Sequence, residues 1–321
     1  MAKRGTEFIR MGKFFAVTAL FFLSVSGFAA RIEGHEPDYA GRTLEFFSWS
    51  DPISQTEKKL FAATIDAQGR LSAETGVTET VYAYCDIDIY RLKLLLTPQQ
   101  PLKIKLPPLR KKSFADSKNP YFEPLEVWLK TEDVPQDELT ALISKFDQRY
   151  FQLTEKYFNQ LYYQQSRRHL DSIKVALDQE FFRFKTPWFL AHRQLQLTAL
   201  EADLSRTGRE KLIGQAAAVD PRLWNQPAFA DLLQRLFSNT LSTESKSLGG
   251  QKIRMMVNSK NLDELRKWTA GFTGTTSPLT EMVLLKLLHD AFYSGDFSKE
   301  AVIQMVQAPL FVAHQIGRAH V

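Results

Sequence analysis

Two periods of apolar residues divide this chain. From Arg31 to Leu106 they come in short β-rich runs separated by turn signals: Ile32 to Glu36, Thr43 to Trp49, Leu60 to Ile65, Arg70 to Glu74, Thr80 to Ile89, Tyr90 to Leu96 and Leu102 to Leu106. Strands at such short spacing predict an antiparallel sandwich. In Leu102-Lys103-Ile104-Lys105-Leu106 the alternation sends the aliphatic side chains inward and leaves the lysines in water. Their charge also guards an edge against pairing with another chain. Asp66-Ala67-Gln68-Gly69 joins two runs as a hairpin, and its glycine supplies the positive φ of a tight turn. Thr97-Pro98-Gln99-Gln100-Pro101 joins the last two.

From Asp133 onward the period is helical. Asp133 and Gln136 fit a capping box. Leu139, Leu142, Ile143, Phe146, Tyr150, Leu153, Tyr157 and Leu161 then form one stripe along a long helix. Thr186-Pro187 and Ser277-Pro278 mark further starts, and Gly208, Gly271 and Gly295 mark stops. Helices are expected over Trp188 to Leu204, Pro227 to Leu241, Leu262 to Trp268, Leu279 to Tyr293 and onward from Ser298. Met282 to Leu288 is apolar on most sides, which places that helix at the centre. No fixed-length repeat is evident, so a bundle and a solenoid-like stack both remain open.

Residues 108–132 separate the two periods. Pro107, Pro108, Pro120 and Pro124 forbid continuous helix, while Phe114, Tyr121, Phe122 and Trp128 are too apolar for a free tether. Leaving each ring in water forfeits about 1.5–3 kcal/mol. The segment is therefore expected to be a linker packed along a domain junction, with an aromatic ligand platform as the alternative. The fold class is α+β and multidomain: an antiparallel β-sandwich over residues 31–107, then an α-helical region over residues 133–314.

The ends carry separate signals. Lys3, Arg4, Arg10 and Lys13 precede an apolar run from Phe14 to Val25, then small residues at Gly27 and Ala29. That order is a secretory signal peptide over residues 1–30, which implies export to the periplasm. The apolar run is short of the roughly 20 residues of a membrane span, so no span is expected after cleavage. At the other end, Ile316-Gly317-Arg318-Ala319-His320-Val321 matches one reading frame of a common sequencing adapter. Residues 315–321 are read as an adapter-derived tail, with native sequence interrupted near His314.

Composition narrows the chemistry. At 44% hydrophobic and 24% charged residues the chain has ample material for a core. The formal charge of +5 falls partly in the leader. The densest basic cluster, Arg110-Lys111-Lys112, is read as solvated linker, so no nucleic-acid partner is expected. Cys85 is the only cysteine, which excludes an internal disulfide, a CxxC pair or a cysteine zinc site within these residues. It lies in a strand and reads as a small core hydrophobe. Asp86 and Asp88 beside it oppose a thiolate; as a pair on one strand face they are a candidate for binding a cation or for acid–base work.

None of His35, His169, His192, His289, His314 and His320 forms an HxxxH or HExxH pair, and no GxSxG, Walker or GxGxxG motif occurs. The aromatic runs Tyr157-Phe158, Tyr162-Tyr163 and Phe181-Phe182-Arg183-Phe184 read as core, or as a groove for a partner. No catalytic, cofactor-binding or metal-binding residue is assigned, and no cofactor.

The Asp66-Ala67-Gln68-Gly69-Arg70-Leu71 hairpin and the Leu94-Leu95-Leu96-Thr97-Pro98-Gln99-Gln100-Pro101-Leu102-Lys103-Ile104 strand pair add a resemblance. With the leader, they are similar to the β domain of unknown function that precedes TlpA-like thiol–disulfide oxidoreductases in Gram-negative envelopes. Phe181 to Leu204, Leu223 to Phe229 and Leu285 to Glu300 resemble the helical region that follows it. The family's usual Pro-Gly turn stands here as Pro98-Gln99. The resemblance implies an accessory, partner-positioning region acting with a protein partner or a downstream thioredoxin-fold domain carrying WCxxC. It carries over no redox residue. The alternative is a self-contained periplasmic binding or scaffold protein.

Overall fold

Seven strands form where the short runs predict them: β1 (Arg31–His35), β2 (Thr43–Trp49), β3 (Glu57–Thr64), β4 (Arg70–Glu74), β5 (Val81–Ile87), β6 (Tyr90–Leu96) and β7 (Leu102–Lys105). The computed structural model describes residues 30–204, 207–275 and 278–307. The leader before Ala30, Ser277 of the Ser277-Pro278 start, His314 and the tail at residues 315–321 lie outside the described residues.

The strands make two sheets, and both are mixed rather than antiparallel. One has the order β4-β1-β7-β9, with β1 and β7 parallel. The other has the order β3-β2-β5-β6-β8, with β6 and β8 parallel. The two extra strands, β8 (Leu125–Trp128) and β9 (Lys130–Glu132), come from the segment expected to be a linker. Before them that segment forms only a short helix, α1 (Phe114–Lys118). Phe114 and Tyr121 are exposed instead of packed at the junction, at 81% and 87%; Trp128 is the ring that reaches it.

The parallel pairings follow from how the chain changes sheets. At Gly69 it does not close a hairpin within one sheet. β3 and β4 are joined by the isolated Ile65–Leu71 bridge and then belong to different sheets. This corner needs glycine: φ is +79°, and an added Cβ would lie 2.6 Å from the Cα of Pro37. The Pro98-Gln99 turn likewise sends β6 and β7 to different sheets, with Gln99 itself at a φ of 61°.

Burial separates the two sheets physically. In the first, β7 alternates buried and exposed residues, so one face meets water. In the second, β5 buries Tyr82, Ala83, Tyr84 and Cys85 in succession. Ala83, Cys85 and Ile87 face the sandwich interior with Phe46, Leu92 and Ile104. Tyr82, Tyr84 and Leu95 face the other way and share a core with the helices. A strand buried on both faces reads as a nearly continuous apolar run; β5 does from Val81 to Cys85, whereas in β6 only Leu94, Leu95 and Leu96 do, after Arg91 and Lys93.

The helix covering that outer face is α2 (Leu139–Lys156), through Leu142, Ile143 and Phe146. Its cap is Glu138, whose buried carboxylate accepts from the N–H groups of Thr140 and Ala141, both at 2.8 Å. Asp133 is not the cap: it takes a φ of 55° and pairs with Lys103 at 2.8 Å. Thr140 locks the helix to the sheet. β8 pairs with β6 only as far as Lys93. Beyond that point the Leu95 N–H donates to Thr140 Oγ1 at 3.1 Å, and the same hydroxyl donates to the Leu95 carbonyl at 3.3 Å. The expected single stripe to Leu161 is interrupted after Lys156, where a π-helical turn spans Asn159–Tyr163.

The remaining helices are α3 (Arg167–Phe181), α4 (Pro187–Asp203), α5 (Arg209–Ala217), α6 (Pro227–Phe237), α7 (Thr240–Ser245), α8 (Gln251–Asn258), α9 (Leu262–Thr273), α10 (Pro278–Ser294) and α11 (Lys299–Val306). As the sequence indicates, α10 is central, packing on α6, α7, α9 and α11. The expected helix from Pro227 to Leu241 breaks at Asn239, a left-handed residue whose N–H is held by Asp290 of α10 at 3.1 Å. Gly271 lies inside α9; Gly274 ends it at a φ of 67°. Gly208 caps the start of α5 rather than stopping a helix.

The buried Glu201 carboxylate is paired with Lys174 and Lys211. Burial alone would raise the Glu201 pKa; the Lys174 hydrogen bond and charge, with Lys211, reverse this and hold it below the usual value. Ile53, in the loop after β2, inserts among the helices and gives the β region a second attachment.

Replacing Thr140 by valine keeps its shape and removes the hydroxyl. The stranded Leu95 N–H should alone cost about 1–3 kcal/mol, seen as a lower urea midpoint at unchanged slope. Thr140→Ser should retain most of the stability, and a Thr140→Val midpoint equal to wild type would refute the bond's role.

Candidate functional site

Three elements meet over the outer face of the five-stranded sheet and leave a cavity of about 190 Å³. The sheet contributes Trp49 at the end of β2, Tyr82 of β5, Lys93 of β6, and Glu126 and Trp128 of β8. Asp147 comes from α2, and Trp188, His192 and Gln196 from α4, where a spacing of four residues aligns them along one face. The start of α6 closes the site with Pro227, Ala228 and Asp231.

Asp147 organises the polar part. One carboxylate oxygen accepts from Trp128 Nε1 at 2.9 Å and the other from His192 Nε2 at 2.7 Å. An ionised carboxylate only accepts, so Nε2 carries the hydrogen in the neutral ring; this tautomer is assigned from the bonding. His192 is buried, and its Nδ1 has no hydrogen-bond partner among the described residues. The imidazole is fixed by stacking on Trp188, with centroids 6.0 Å apart, and by the edge contact with Phe146 at 5.7 Å. Burying an unpaired acceptor is unfavourable, so this ring is the most conspicuous polar residue at the junction.

The walls are aromatic. Trp49 lies 5.3 Å from Tyr82, and Tyr82 meets Trp128 edge-on at 6.3 Å. Lys93 Nζ sits 5.0 Å over the Trp128 ring and 3.1 Å from Glu126. Asp231 pairs with Arg235 at 2.9 Å. Among the described residues Asp147 has no Lys or Arg partner; only Trp128 and His192 balance it. The Tyr82 hydroxyl, deep in this wall, has its pKa raised chiefly by burial and stays neutral. Among the described residues the Tyr82 hydroxyl lines the cavity, and no Ser, Thr or Cys does. What lines the cavity is a set of aromatic rings and the Asp147 carboxylate, which has no Lys or Arg partner among the described residues.

The residues weighed from sequence fall elsewhere. Cys85 faces the sandwich interior, and burial, helped by the Asp86 charge, pushes its thiol up to about 12. Asp86 and Asp88 do not form a pair. β5 ends at Ile87, and Asp88 sits in the following turn at a φ of 52°. Asp86 is held by both forks of Arg91 at 2.8 and 2.7 Å, and Asp88 by Arg42 at 2.5 Å. Each carboxylate is thus neutralised separately. Among the described residues no group of His, Cys, Asp and Glu could hold a metal ion.

His35 is exposed, His169 bonds Ser166, and His289 bonds Asp290. Arg110, Lys111 and Lys112 are exposed. Phe181 and Phe184 are core residues, whereas Phe182, Phe158 and Tyr163 are exposed. A larger cavity of about 600 Å³ between α10, α11 and the loop at Ser54 and Thr56 is lined mainly by aliphatic and aromatic groups.

Asp147 was not singled out in the sequence, and His192 was noted there only as lacking an HxxxH or HExxH partner. The usable signal was local: Trp188 and His192 are four apart on one helix face, and Asp147 interrupts an otherwise apolar flank of α2.

Comparison with protein-family models, with curated proteins and with solved structures finds no match to this chain. Among the described residues no helix is long and apolar enough to cross a membrane.

Asp147→Ala strands two donors at once and should cost about 1–3 kcal/mol for each one left unsatisfied. In a double-mutant cycle with Trp128→Phe the two changes should couple; strict additivity in urea midpoints would show that the Trp128–Asp147 bond does not form.

Proposed function

We propose that this chain is the accessory, partner-positioning region of a periplasmic thiol–disulfide oxidoreductase, with the redox step carried by a thioredoxin-fold domain on another segment or chain. The observation that carries this reading is an exposed aromatic cluster where α2 ends. Phe158 lies 4.9 Å from Tyr162 and 6.0 Å from Tyr163, and Tyr163 is 77% exposed. Exposed apolar patches of this kind suit a protein partner. The resemblance supplies the redox association. Cys85 is consistent with it in one respect: a buried thiol pushed up to about 12 is nearly all protonated at neutral pH, and the thiolate is the attacking species. Thiol–disulfide exchange is therefore assigned away from this residue.

A second reading, a self-contained periplasmic binding or scaffold protein, is favoured by the junction cavity. Two results separate them. A thioredoxin-like reading frame with WCxxC beyond His314 is expected from a fresh read of the locus; a native stop codon there would favour the second reading. The purified chain should reduce insulin no faster than a lone buried thiol allows, and fast reduction that survives Cys85→Ser would overturn the assignment.

A further inference from the structure

We infer that the cavity at the sheet–helix junction binds a small organic cation, of the class of a primary alkylammonium. This goes beyond the redox association proposed above and does not depend on it. Three features of the site converge.

The first is charge. Lys93 offsets Glu126 and Arg235 offsets Asp231, at 3.1 and 2.9 Å. Asp147 is left as the one lining carboxylate with no Lys or Arg partner among the described residues. A carboxylate with its side chain 27% exposed, in an aromatic setting, favours an incoming positive charge.

The second is the wall. Trp49, Trp128, Trp188 and Tyr82 present aromatic faces and edges to a space of about 190 Å³. Indole faces attract cations more strongly than other side-chain rings do, and the attraction grows with desolvation. The chain's own Lys93 ammonium already uses this chemistry, 5.0 Å over Trp128. At a liquid volume of roughly 30 Å³ per water, the cavity holds a short aliphatic amine but not a peptide or nucleotide.

The third is His192. Its Nε2–H is committed to one Asp147 oxygen, which fixes that carboxylate as an acceptor at the cavity wall. An ammonium N–H is a donor to that carboxylate; a carboxylate or phosphate ligand would place acceptor against acceptor and charge against Asp147. Anions are therefore disfavoured by the same atoms that favour cations.

The test is calorimetric titration of the purified full chain with n-butylammonium, with n-butanol and glucose as neutral probes at matched ionic strength. Butylammonium should saturate at one site and bind about tenfold or more tightly than either neutral probe. Asp147→Asn keeps the shape and removes the charge; it should weaken butylammonium by a similar factor and leave butanol unchanged. Should that variant fail to fold, Trp49→Leu, which removes an aromatic wall and keeps bulk, should weaken the ammonium selectively. Equal binding of butanol or glucose, no saturable butylammonium heat, or unaltered ammonium affinity in a folded Asp147→Asn or Trp49→Leu variant would each overturn the assignment.

Discussion

The Thr140 hydroxyl, bonded to both the N–H and the carbonyl of Leu95, stands at the contact on which the rest of the structure depends. β8 is too short to pair β6 along its whole length, and Leu95 lies beyond its reach. A buried peptide group left unpaired costs more than an ordinary hydrogen bond gains. A helix end supplies the missing partner, and α2 is thereby placed across the sheet. Tyr82, Tyr84 and Leu95 are then covered by Leu142, Ile143 and Phe146. Without that cover the five-stranded sheet would expose an aromatic outer face.

The cavity is a consequence of the same contact. Large rings from β2, β5 and β8 meet helices arriving at their own angles, and the space among them is not filled. Its polar lining is economical. Asp147 serves Trp128 from the sheet and His192 from α4, so one carboxylate joins three elements. That arrangement stabilises the junction and leaves a carboxylate at the wall of an aromatic enclosure. Packing and recognition here are two aspects of one set of residues.

Much of this was legible along the chain. The strands from β1 to β7 and the central helix α10 follow from local period, because alternation and amphipathicity are local properties. Sheet membership was not legible. Gly69 and Pro98-Gln99 announce turns, but whether a turn closes a hairpin or passes the chain to another sheet depends on distant partners. β8 and β9 were hidden for a related reason. Among so many prolines, Leu125 to Glu132 takes strand form from its neighbours β6 and β7. Asp133 looked like a cap, and Lys103 from β7 claimed it instead. The candidate site shows the same limit. Asp86 and Asp88 are close in sequence and separately neutralised, whereas Asp147 and His192 are 45 residues apart and bonded.

Native-state hydrogen exchange tests the central claim most directly, that α2 and the five-stranded sheet are one cooperative unit. The Leu95 amide and the α2 amides of Ile143 and Phe146 should open with the same free energy, and with the same denaturant dependence. Exchange from α2 at a much lower free energy, with Leu95 still protected, would contradict it and show that the sheet keeps its integrity without the helix.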